Sequence, residues 1–324
     1  MSFEGNLSKD KCNCLKGVFA MVVLLHHLKQ HSGVFSDYAV PSIIFQAMGY
    51  LSVAGFFFIS GYGLAISWQK KGKSYIDKFV IKRILPFSII IIIFSLLFYI
   101  VKKWLGYSIP RFFLINSLFN ISSSSVITNG WYLQVQLMLY LFFFFVYRFI
   151  KHKQYLVVFM FCLLYVILGK CIGLSTTKYE SVFAFPLGLL LGNFSTKIDK
   201  WDEKCNKYCV LAFIGFGVMF VGSIVVPNDI LKLLCKIMSS IMFVLFVVCI
   251  IQIINIINRI TSALGRISLE IYVIQGIFLL LFHSSHINIP NGWVYCLVVI
   301  ICTLISSFLF HPISQKIYKS VERI

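Results

Sequence analysis

The sequence predicts an all-α integral membrane protein of about ten transmembrane helices, with both termini in the cytoplasm. The first observation behind this is composition. Of 324 residues, 59% are apolar, 17% aromatic and only 12% charged, and mean hydropathy is +0.90. A soluble domain carries about 25% charged residues, so water is not the solvent of most of this chain. The second is that the apolar residues gather into segments of bilayer-spanning length, about 20 residues for a 30 Å hydrocarbon core. The third is the distribution of the basic residues between the two sides.

In chain order the segments are 15–34, 43–67, 84–101, 131–150, 154–171, 180–194, 208–226, 231–257, 267–283 and 292–310. The first, opening LKGVFAMVVLLHHL, has no small-residue cleavage site and carries two histidines, so it is expected to stay as a spanning helix. The third begins directly behind Lys82 and Arg83, with Pro86 near its start, and the fourth opens on Trp131 and Tyr132, residues suited to a membrane interface. The sixth is the weakest: its apolar core SVFAFPLGLLLGN is short, so it is expected to be bent at Pro186, re-entrant or flanked by polar turns. With the N-terminus inside, the cytoplasmic positions hold 21 of the 29 Lys and Arg residues, leaving Lys29, Lys102, Lys103, Arg111, Lys170, Lys178, Lys232 and Lys236 outside. Among the 21 are Lys197, Lys200, Lys204 and Arg323. That asymmetry is the positive-inside pattern and sets the orientation.

No polar stretch is long enough to fold alone, so residues 1–324 are expected to form one membrane domain, and any chemistry belongs there. The formal net charge of +18 follows topology, which argues against nucleic acid as a partner and leaves lipid headgroups as the expected contacts. The ten cysteines are scattered, and Cys12, Cys14, Cys205 and Cys209 have no His or Cys at metal spacing, so structural thiols and no metal site are expected.

Four constellations carry possible chemistry. Lys16 and His27 are eleven residues apart, which on a helix is three turns plus roughly 20°, so they share one face roughly 16 Å apart along the axis. Ionisable groups at membrane depth are costly and face a cavity or a partner helix. A packing histidine is the plain alternative for His27. His26 points about 80° away from that face and is expected to support or pack. The second constellation is FFFISGYGLAISW, residues 56–68, where Gly55, Gly61 and Gly63 allow close helix contact and Ser60 and Tyr62 add hydroxyls. Lys82 and Arg83, at the end of the densest basic run, are candidates for holding a phosphorylated ligand, although such runs also serve topology. The third is NGWYLQVQLMLY, residues 129–140: Trp131, Tyr132, Gln134 and Gln136 bring two amides and two aromatic rings to the outer end of a segment. Sugar hydroxyls would satisfy such amides, as would another helix. The fourth is LGRISLEIYVIQG, residues 264–276, in which Glu270 stands four residues after Arg266 and is expected to pair with it along the helix.

The segments LKGVFAMVVLLHH, FFFISGY, KRILP, WYLQVQ and LGRISLEIYVIQG follow one another as in the acyltransferase family 3 membrane proteins, which this chain resembles over nearly its whole length. The resemblance implies a ten-helix O-acetyltransferase-type enzyme of the cell membrane. It would move an acyl group from cytoplasmic acyl-CoA, with acetyl-CoA as the expected donor, to a hydroxyl of a cell-surface sugar or lipid-linked glycan. No permanently bound cofactor is implied. The family's basic residue maps onto Lys16, its essential histidine onto His27 and its third-helix arginine onto Arg83. Donor binding is then expected at Lys16, Lys82, Arg83, Ser60 and Tyr62, and acceptor binding at Trp131, Tyr132, Gln134 and Gln136. Three positions depart from the family pattern: Lys16 stands for Arg, Gln136 for Glu and Gln275 for a His. Transfer is expected to occur in this domain or through a partner, because the family's frequent periplasmic hydrolase-like domain has no counterpart here. A transporter or flippase for a glycan or lipid-linked sugar is the alternative reading, although no inverted repeat is evident. A sensor or assembly subunit with an inactive acyltransferase fold is a third.

Overall fold

In the computed structural model, residues 7–34, 38–119, 126–194 and 205–322 are described. The basic residues Lys197, Lys200, Lys204 and Arg323 lie outside them, as does Cys205 for its side chain. The described residues are helical with no β-strand, apart from one isolated bridge between His283 and Asn288. The helices are α1 Lys9–Ser32, α2 Ala39–Lys71, α3 Lys73–Asp77, α4 Leu85–Trp104, α5 Phe113–Phe119, α6 Trp131–Phe149, α7 Gln154–Cys171, α8 Ala184–Asn193, α9 Cys205–Val225, α10 Asp229–Ile253, α11 Arg259–Arg266, α12 Ser268–Leu281 and α13 Gly292–Glu322. A π-helical turn, Val80–Ile84, leads directly into α4.

Every apolar segment read from the sequence carries helix. Seven helices of the described residues are long and apolar enough to cross a membrane: Ala39–Lys71, Val80–Trp104, Trp131–Phe149, Gln154–Cys171, Asn206–Val225, Asp229–Ile253 and Gly292–Val321. The bent pair α11 and α12 makes an eighth if taken as one broken span. Helix α1 is not among the seven, because the lysines and histidines that mark it also dilute its apolar run. The sixth segment forms only the ten-residue α8, preceded by turns over 179–183. Pro186 falls in its first turn, where a missing N–H costs no helical bond.

Contacts divide the chain into two compact units, each built from three separate stretches. The first comprises Met1–Phe19, Tyr50–Tyr75 and Val146–Arg266. In it α2 and α8 meet backbone to backbone. A Cβ on Gly61 would strike the Phe185 carbonyl, and one on Gly188 would strike the Phe58 carbonyl. Phe19 lies over Gly55 and packs edge-on against Phe56 at 6.0 Å. The foot of α1 is tied to α11, where Asn13 Nδ2 donates to the Ser262 carbonyl at 3.2 Å and Gly265 abuts Asn13. Helices α9 and α10 form a hairpin whose second arm is capped by Asn228, its side chain accepting from the Ile230 and Leu231 amides.

The first unit also holds an ion pair between a buried glutamate and a half-buried lysine that the sequence reading missed. Lys236 on α10 donates to Glu180 at 3.0 Å, and Glu180 is 2% exposed. Around it Ser181 donates to the Tyr50 carbonyl at 2.7 Å, and the Tyr50 hydroxyl meets Ser239 at 3.0 Å. Lys236 lies within the eighth apolar segment, two turns into α10. Removing Glu180 leaves the half-buried Lys236 without its counter-ion, at a cost of about 1.5–3 kcal/mol, the scale of a hydrogen bond to a charged group. Glu180→Ala is accordingly expected to lower the melting temperature of the detergent-solubilised protein clearly, and a curve superimposable on wild type would contradict this.

The second unit comprises Ala20–Gly49, Ile76–Phe145 and Ile267–Ile324. Leu24 and Leu28 of α1 pack with Leu279 of α12 and with Tyr295 and Val299 of α13. Phe79, fully buried, meets Phe143 and Tyr140 of α6, and Phe94 of α4 stacks obliquely on Phe310. Gly276 permits the turn at Thr128 to sit directly on α12.

Candidate active site

Histidines 26 and 27 share one turn of α1 but meet opposite fates. The Nδ1 of His26 lies 2.7 Å from the Phe45 carbonyl and must donate to it, so its Nε2 accepts from Gln30 Nε2 at 3.1 Å. Its ring also covers Gly49, where any Cβ would collide with it. Both ring nitrogens are spent inside the fold, which is the supporting role expected of it. His27, 7% exposed, keeps a buried Nδ1 that has no hydrogen-bond partner among the described residues. A buried unpaired polar atom costs about 1–3 kcal/mol, so such atoms at depth mark where a ligand or a rearranged bond belongs.

His27 faces α12. Gln275 stands within hydrogen-bonding reach of it, with its own Nε2 donating to the Tyr272 carbonyl at 2.9 Å and its Oε1 buried and open among the described residues. The Tyr272 hydroxyl donates to the Asn129 carbonyl, at the turn before α6, and its ring meets the Tyr132 ring at 5.1 Å. Tyr132 reaches one turn along α6 to donate to Gln136 Oε1 at 3.4 Å, while Gln136 Nε2 is buried without a partner among the described residues. The Thr128 hydroxyl, beside Gly276, is open in the same sense. A run of neighbours thus leads from His27 through Gln275, Tyr272 and Tyr132 to Gln136.

The other residues singled out from the sequence fall as follows. Gln134 is committed, its Nε2 donating to the Asn116 carbonyl at 2.6 Å and so fastening α5. Trp131 is half-buried at the first position of α6. Lys16 is half-buried on α1, in helical register with His27. Ser60, half-buried, and Tyr62, buried and stacked on Phe58 at 6.0 Å, belong with Lys16 to the first unit. Lys82 and Arg83 are exposed on the π-helical turn, and Arg83 lies with Tyr140 and Glu270 around Tyr318 in the second unit.

Glu270 does not follow the expectation of an intrahelical pair with Arg266. The helix breaks at Ile267, so the two residues are not on one continuous helix, and Glu270 pairs instead with His311 Nδ1 at 3.1 Å across to α13. Sequence reasoning also passed over Gln275 as a neighbour of the histidine, with Tyr272 beside it on α12 and Thr128 packed on the same stretch of that helix. The spacing of Tyr272, Gln275 and Gly276, at i, i+3 and i+4, was the signal that they share a face.

No curated protein and no solved structure matches the chain. A family model described as an acyltransferase domain, that of acyltransferase family 3, matches residues 10–311 and so takes in α1 from its first turn, His27, Gln136, Gln275 and His311. With its apolar helices and a match over nearly its whole length, the chain belongs to acyltransferase family 3 and is a multi-pass membrane acyltransferase.

Proposed function

We propose that the protein acylates a hydroxyl of a cell-surface sugar or lipid-linked glycan, with cytoplasmic acetyl-CoA as donor and His27 as the reacting group. The observation that carries the reading is the buried His27 ring, whose Nδ1 has no partner among the described residues; the eleven-residue spacing from Lys16 in the sequence adds to it. Lys16, Lys82 and Arg83 are the cations for the donor's phosphates, and Ser60 and Tyr62 line its approach. Trp131, Tyr132, Gln134 and Gln136 frame the acceptor, with the open Gln136 Nε2 as the donor toward a sugar oxygen.

A neutral imidazole serves either of two routes. As general base, His27 takes the hydroxyl proton while that oxygen attacks the thioester carbonyl; the C–O bond forms, the C–S bond breaks, and the thiolate leaving group receives the proton. As nucleophile, it first carries the acyl group and then yields it to the hydroxyl, with the same net exchange. Ten spans of one domain, termini in the cytoplasm and residence in the cell membrane complete the proposal. Proteoliposomes decide its vectorial part: with acetyl-CoA on the Lys16 side only, product is expected with the acceptor on the opposite side. Product formed only when both substrates share a side would refute transfer across the membrane.

Two further results are expected. Single cysteines at Lys73 and Tyr107 in a cysteine-free background should differ in intact cells, with position 107 labelled by an impermeant maleimide and position 73 protected; the reverse pattern inverts the topology. Lys16→Ala and Arg83→Ala should each weaken acetyl-CoA binding about tenfold, equivalent to ~1.4 kcal/mol, the scale of one charge-assisted contact. Lys16→Arg should bind as wild type, since Arg offers the same charge with a forked donor. Binding indifferent to both alanine changes would remove these cations from the donor site.

A further inference from the structure

We infer that Gln275 is the positioning residue for His27: its side-chain carbonyl takes the Nδ1–H of the ring and leaves Nε2 as the nitrogen that reacts. The inference rests on His27 being the reacting group proposed above. Gln275 is 1% exposed, and its amide has no freedom of sense, because Nε2 is held on the Tyr272 carbonyl at 2.9 Å. Reversing the amide would put two carbonyl oxygens against each other. Its Oε1 therefore faces outward from that bond as an acceptor, and it is buried with no donor among the described residues. His27 supplies the complement: Gln275 is its side-chain hydrogen-bonding neighbour, and its Nδ1 is buried with no acceptor among the described residues. A small side-chain adjustment closes one bond and removes two unpaired buried atoms at once.

The direction of that bond is fixed by chemistry. A carbonyl oxygen only accepts, so Nδ1 carries the proton, and a neutral imidazole has just one. The lone pair is then on Nε2, the nitrogen needed by either route. The neighbouring ring shows the contrasting case, since the two bonds of His26 occupy both its nitrogens. The support extends one layer further: Tyr272, whose carbonyl holds the Gln275 amide, is itself anchored by its hydroxyl to the Asn129 carbonyl. Residues that orient a metal-bound imidazole through its second nitrogen are worth a factor of about 10–100 when removed, and the same scale is expected for this ring.

The test compares wild type with Gln275→Met, which keeps the shape and loses the acceptor, and Gln275→Glu, which keeps an acceptor oxygen. In nanodiscs, 15N spectra of histidine-labelled protein, with the His27 signals assigned by their loss in His27→Ala, should show the Nδ1–H tautomer in wild type and its loss in Gln275→Met. Gln275→Met should lower kcat about 10–100-fold at unchanged KM for acetyl-CoA, and Gln275→Glu should restore most of it. An Nε2–H tautomer in wild type, or a Gln275→Met protein with wild-type tautomer and kcat, overturns the inference. The spectra do not depend on turnover. An active His27→Ala would therefore defeat the catalytic reading, while the tautomer still decides what Gln275 does.

Discussion

His27→Ala is expected to reduce acyl transfer by at least about a thousandfold, within the range for losing a positioned general base, while the protein remains in the membrane at wild-type level. The alanine removes the contact with Gln275 and leaves a cavity, so stability should fall modestly while transfer falls by orders of magnitude. His26→Ala should give the opposite pattern. That ring bonds the Phe45 carbonyl and Gln30, so its loss should lower thermal stability, with transfer per folded molecule kept within about tenfold. Glycan acylation followed by mass spectrometry, normalised to folded protein, separates the two. Wild-type turnover in His27→Ala would remove the imidazole from the chemistry.

The contrast between these adjacent histidines was partly legible in the sequence. Helical register with Lys16 favours His27 over His26, because angular position follows from residue count alone. The register says nothing of hydrogen-bond partners, which come from residues distant in sequence: Phe45 for one ring and Gln275 for the other. Periodicity and apolar length likewise disclosed the helices, including the weakness of the sixth segment, since those are local properties. The two charge pairs are non-local. Glu270 was assigned its i−4 neighbour, yet the helix break at Ile267 frees it to pair with His311. Lys236 was placed on the outer side with no partner named, and its partner is Glu180. In both cases the partner lies many residues away, where a count along the chain does not reach.

The amides of α6 divide in a way that bears on mechanism. Gln134 and Gln136 enter the apolar region together and look equivalent in sequence, but they lie two residues apart and so point to different sides of the helix. Gln134 is used to fasten α5, while Gln136 keeps an open Nε2 on the side of Tyr132 and Tyr272. A glutamine here, in place of the family's glutamate, offers a neutral donor and no base. The acid–base work of the proposed reaction then falls on His27, and Gln136 contributes orientation. That division accords with a positioned His27 tautomer, because a single titrating group has to be present in one defined form.

The other large effect concerns the contact between α2 and α8. Gly61→Val and Gly188→Val are each expected to abolish recovery of folded protein, or to lower its melting temperature drastically. The side chain added at Gly61 would meet the Phe185 carbonyl and the Leu189 amide, and that at Gly188 the Phe58 carbonyl and the Tyr62 amide. These obstacles are backbone atoms, which cannot rotate aside as a side-chain end can, so relief requires the helices to part. Overpacking commonly costs about 1–3 kcal/mol and more where the backbone must move. Small residues are what allow helices to approach this closely in a membrane, where no hydrophobic force drives them together. Gly63 supplies the control on the same helix, because a Cβ there meets nothing within 4 Å. Gly63→Ala should be neutral or slightly stabilising, since alanine exceeds glycine in helix propensity by about 1 kcal/mol. Yield, monodispersity and thermal unfolding in detergent measure all three variants. If Gly61→Val and Gly188→Val behave like Gly63→Ala, the close approach of these two backbones is not what holds this unit together.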